Sequence, residues 1–174
     1  RWEGDVTVEL AAIDVRAGQP DAAIPALQRA VRIFRQIESP DLVVHASVAL
    51  ANAQLQAGWT EQAKATIDAL GDPDQLHAEG RSRIALARAR VLEQQDAVEE
   101  AIALARQAAS DFEAIGSLRG QLEATNFEAA LLARQGNWDE SLARLESLRV
   151  MVRRIGRTLV LPQLKARFFS QQQD

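Results

Sequence analysis

Apolar positions along the chain fall in helix-length stretches separated by glycine, proline or short polar turns. Alternating Val, Ile and Thr runs of the strand type are missing. The pattern predicts helices at about 5–17, 21–38, 41–57, 60–70, 74–94, 97–115, 118–135 and 138–156. The helix at 60–70 is short because Ala65–Leu70 runs into Gly71-Asp72-Pro73, a sequence that stops helices. A last segment, about 158–171, places Leu161, Leu164, Phe168 and Phe169 on one helical side.

The stretches repeat. Turn residues Gly18, Gly58, Asp96 and Gly136 follow one another at spacings of 40, 38 and 40. Seven residues before each stands Ala11, Ala51, Ala89 or Ala129; five after each stands Ala23, Ala63, Ala101 or Ser141. Two helices joined by a tight turn approach closely only where small side chains face each other, which explains both columns. Glycine past the first helix takes the left-handed cap conformation. Asp96 is expected to manage the same turn with its side chain bonded to local backbone. A fourth column, Phe34/Ile37, Phe112/Ile115 and Val152/Ile155, marks the ends of second helices. Four units follow, at about 5–38, 41–70, 74–115 and 118–156, forming an array over 1–156 with a capping or partial-repeat helix at 157–174.

Composition strengthens the helical reading, since alanine, leucine, glutamine, glutamate and arginine dominate. The chain starts at Arg1, as expected of a piece of a longer protein, and arginine supplies 18 of its 20 basic residues, a habit of GC-rich bacterial genes. A net charge of −4 argues against nonspecific nucleic-acid or anionic-lipid partners. With no cysteine, disulfides, thiolate metal sites and cysteine nucleophiles are excluded within this sequence. No apolar run is long enough for a membrane span and no signal pattern opens the chain, so a cytoplasmic location is expected.

The columns resemble the tetratricopeptide repeat, whose signature wants a small residue midway along the first helix, glycine near the turn and alanine early in the second. The period, and the linker Ile115-Gly116-Ser117-Leu118-Arg119-Gly120 with Gly80 one period before Gly120, are similar to the longer variety of bacterial signalling, regulatory and CHAT-associated proteins. Arg88 and Glu128 depart from it, standing where the family prefers large apolar residues; so does Phe169, one period past Ala129. The resemblance implies an all-α fold, a right-handed superhelical stack of antiparallel helix pairs. It also implies a scaffold that binds a protein or peptide in a concave groove built by first helices.

From the alanine register, that groove draws on Asp5, His45, Arg83 and Glu123, then Val8, Val48, Leu86 and Asn126, then Asn52 and Arg90, Leu55 and Glu93, and finally Arg16, Gln56, Gln94 and Arg134. Of these, His45, Asn52, Arg83, Arg90, Asn126 and Arg134 are the candidate partner-binding residues. Asn52 and Arg90 match two of five places in the family's clamp for acidic C-termini; Val8, Ala12 and Leu86 fail the others.

Catalytic chemistry finds no support in the pattern, and neither cofactor nor metal is expected. His45 has no acidic or histidine partner at helical spacing, and no third ligand joins it and His77. Glu99–Glu100 and Asp139–Glu140 open second helices, where acids complement the helix dipole. Trp59 and Trp138 follow turn glycines and are expected to seal the turn against the neighbouring unit. Arg149, Arg153, Arg154 and Arg157 cluster at a helix end and read as capping. The chain is therefore expected to be an interaction module of a larger bacterial signalling or regulatory protein and not an enzyme. The alternatives are a small-ligand or peptide sensor controlling an attached effector, or homo-oligomerisation through exposed stack ends, with Leu159, Leu161 and Phe168 as contacts.

Overall fold

The computed structural model describes residues 7–8, 10–11, 13–15, 17–71 and 76–153. Among these every regular element is a helix. α1 lies within 7–15, followed by α2 (Pro20–Gln36), α3 (Pro40–Gln56), α4 (Thr60–Asp68), α5 (Ala78–Gln94), α6 (Val98–Ala114), α7 (Leu118–Arg134) and α8 (138–153). The chain is all-α, built of stacked helix pairs. α5 begins at Ala78 and not near 74, with His77 as its extended N-cap. The segment 157–174, together with Trp2, Asp5, Ala12, Arg16, Arg154 and Arg157, lies outside the described residues.

Local chemistry accounts for the helix ends. Pro20 and Pro40 occupy first-turn positions, where a missing N–H costs nothing, and Asp21 and Asp41 add charge favoured by the dipole. The turns inside repeats close by one pair of backbone bonds. At Gly58 (φ 79°) the glycine N–H donates to Leu55 O at 3.0 Å, and the Trp59 N–H to Gln54 O at 2.7 Å. Asp96 takes φ 63° and closes its turn the same way, with backbone bonds to Glu93 and Leu92 in place of the expected side-chain device. Glu38 (φ 51°) does so between α2 and α3, where the corresponding residue between α6 and α7 is Gly116.

Residues 1–128 form one compact unit and 129–174 another. In the first, three apolar layers each join consecutive helices. Val8, Ala11, Leu27, Phe34, Ala46 and Leu50 tie α1, α2 and α3. Val44, Ala51, Ala63, Ile67 and Ile84 tie α3, α4 and α5. Leu86, Ala108, Phe112 and Ala124 tie α5, α6 and α7. In this unit α2, α4 and α6 are thus each sandwiched between the first helix of their own repeat and that of the next. In the second unit Leu131, Leu132 and Leu148 are buried, and the Ser141 hydroxyl donates to Ala129 O at 2.8 Å. All eight small residues of the two crossing columns are buried, as close approach requires.

Candidate functional site: a groove of first helices

The first unit carries an open cleft of about 590 Å³. Its walls come mainly from the first helices. α3 contributes His45, Val48, Asn52, Leu55 and Gln56, and α5 contributes Arg83, Leu86, Arg90, Glu93 and Gln94. These ten follow the register fixed by Ala51 and Ala89. α7 lines the cleft with Arg119, Gly120, Glu123 and Phe127. Val8 is there as expected, but Asn126 is exposed and not part of the lining. Arg134, also exposed, belongs to the second unit. Phe127 and Arg119 were missed because the register was carried along α7 from Ala129, whereas α7 borders the cleft within 119–127.

A charged tie crosses the groove floor. Arg90 Nη1 donates to Asn52 Oδ1 at 2.9 Å and Nη2 to Glu123 Oε1 at 2.6 Å, while the guanidinium carbon sits 5.7 Å from the Phe127 ring centroid. Three successive first helices are joined through this one side chain. Asn52 Oδ1 and both terminal nitrogens of Arg90, the two residues that match the clamp for acidic C-termini, are thus engaged within the groove.

A second tie lies near the start of α5. Arg83 Nη2 donates to Glu79 Oε1 at 2.8 Å, and the Ser117 hydroxyl reaches the same oxygen at 3.4 Å. The Arg83 hydrogen bond holds the Glu79 carboxyl below its ordinary value. Burial opposes the shift, while the Arg83 charge, Ser117 and the positive charge of His45 add to it. The His45 influence comes from the preceding first helix, a relation that local helical spacing does not show. Arg119 is exposed and, among the described residues, makes no hydrogen bond or ion pair.

The tryptophans correct another expectation. Trp59 is 41% and Trp138 63% exposed, so neither seals its turn. Both stand where a second helix begins. Among the described residues no group of three or more His, Cys, Asp or Glu could hold a metal ion. No described helix is long and apolar enough to cross a membrane.

Comparison with known proteins agrees with this architecture. Residues 14–82 match the tetratricopeptide repeat. Two similar solved structures show the nearly identical TPR-like repeats of a protein assigned as a kinesin light chain from Podosopora anserina, one of them a point variant. Each is 18% identical with a TM-score of 0.52, covering 88% of this chain and 96% of that one, a likeness of fold. Curated proteins give no match. Tetratricopeptide repeats generally mediate protein–protein interaction through extended concave surfaces, and the fold is typically a non-catalytic scaffold.

Proposed function

We propose that the groove of α3, α5 and the start of α7 binds a segment of a partner protein, as a cytoplasmic interaction module of a larger bacterial signalling or regulatory protein. The observation that carries this reading is the composition of the cleft. Val48, Leu55, Leu86 and Phe127 supply apolar contact, and His45, Gln56, Gln94 and Arg119 supply polar groups to fix orientation. Asn52, Arg83 and Arg90 shape the groove through their internal ties.

A pull-down from source lysate, comparing the wild type with Arg119→Glu/Gln94→Ala, tests it. Both changes lie on exposed lining residues and leave the Arg90 tie intact. The expected outcome is a partner captured by the wild type and lost by the double variant, while a Lys64→Glu variant on α4 retains it. Equal capture by all three would refute the groove. A second reading, a sensor of a small molecule or short peptide, draws support from the cleft volume, which falls within the range of small-ligand sites.

A further inference from the structure

Both arginines on the α5 wall of the groove are met by a carboxylate of the chain itself. Arg83 takes Glu79 from its own helix, one turn away at 2.8 Å. Arg90 takes Glu123 from the next first helix at 2.6 Å, while Asn52 of the preceding one accepts from its other terminal nitrogen at 2.9 Å. The Arg90 side chain is 21% exposed and that of Glu123 47%, so the carboxylate is the more open of the two. A guanidinium presents a forked donor edge that matches a carboxylate, and Arg90 beside Asn52 on a groove floor is a natural seat for an acidic group. Here that seat is filled.

We infer that Glu123 is a selectivity residue of the groove: its carboxylate holds the place on Arg90 that an acidic group of a partner would take, and so restricts the groove to segments without an acid at their centre. The inference rests on the groove being the binding surface. Three observations favour it over a bracing role. The corresponding positions on α3 and α5 hold His45 and Arg83, so the stack does not require an acid there. α7 is already held by Ala124 and Phe127, which pack with Leu86 and Phe112, and the half-exposed Glu123 adds nothing to that layer. The surroundings of the tie are apolar, since Val48, Leu86 and Phe127 line the same cleft, and the Phe127 ring centroid lies 5.7 Å from the guanidinium carbon. An acid entering these surroundings gains the attraction of Arg90 only against the repulsion of Glu123, whereas an uncharged side chain meets a neutral pair. Specificity of this kind comes from penalising the wrong partner.

A peptide of known sequence tests this without the natural partner. The probe is a fluorescein-labelled peptide ending Leu-Ala-Leu-Asp with a free terminal carboxylate, followed by fluorescence anisotropy at low ionic strength. Glu123→Ala is expected to bind it at least about tenfold more tightly than the wild type. Glu123→Gln keeps the shape and one acceptor oxygen but loses the charge, and falls between the two. The gain disappears in Arg90→Met/Glu123→Ala, and also when the peptide ends in asparagine amide. Wild-type binding as tight as that of Glu123→Ala would overturn the inference. A gain that survives Arg90→Met would overturn it too, by seating the acid at Arg119. So would unchanged affinity in both Glu123 variants with only a lowered melting temperature, which would make the tie a brace. Equal capture in the pull-down removes the partner from the groove but leaves this order of affinities standing, so the two readings fail separately.

Discussion

At the scale of single residues, Gly80 and Gly120 show how one repeat column can hold two different constraints. Both stand at the third position of a first helix, one period apart. A Cβ built on Gly120 would lie 2.3 Å from Cδ1 of Phe112, a fully buried ring. A Cβ on Gly80 would meet only Leu76 at 3.6 Å and Val44 at 4.0 Å, ordinary contact distances. Gly80→Ala is therefore expected to stabilise the protein by about 0.5–1 kcal/mol through helix propensity. Gly120→Ala should destabilise it by about 1–2 kcal/mol, because overpacking against an immovable ring outweighs the same gain. Urea midpoints of the two variants check both signs. The sequence offered the column but not the difference, which arises because the short α4 ends at Asp68 and brings no ring comparable to Phe112 against α5.

At the scale of elements, the join between α6 and α7 rests on a buried charge. Glu128 is wholly buried, and Arg106 Nε donates to its Oε1 at 2.7 Å from a half-exposed side chain. In the sequence Glu128 was legible only as a departure from an apolar position. Its partner, 22 residues earlier on another helix, carried no signal. Removing one member of a buried pair leaves the other poorly compensated, whereas replacing the buried member by an apolar residue of like size removes the desolvation cost too. Arg106→Met is thus expected to cost about 2–3 kcal/mol, and Glu128→Met to be neutral or stabilising. Thermal denaturation of the two variants separates these outcomes. Equal losses would show that the pair acts as a net attraction and not as a tolerated burial.

At the scale of the whole molecule, the Glu79 cluster ties α5 to Ser117 at the start of α7, so pH acts on the stack through it. The folded carboxyl titrates below its unfolded value, so its contribution to stability is present above the unfolded value, about pH 4.3, and fades as pH falls through the folded one. Glu79→Gln should lower stability at pH 7 and flatten the loss as pH falls below about 4.3, as followed by circular dichroism melts across the acid range. An unchanged slope would detach Glu79 from acid unfolding. By itself the sequence determined the helices, their period and the small-residue crossings, because these follow from spacing and local backbone preference repeated four times over. It also located the α3 and α5 walls of the groove, since a register read from one alanine carries along a regular helix. Only the tertiary structure decided that Arg90 is engaged by Asn52 and Glu123, that Ser117 reaches Glu79, and that Phe127 replaces Asn126 in the lining. Those pairings join residues more than thirty positions apart on different helices, and only the packing of neighbouring repeats brings them within reach.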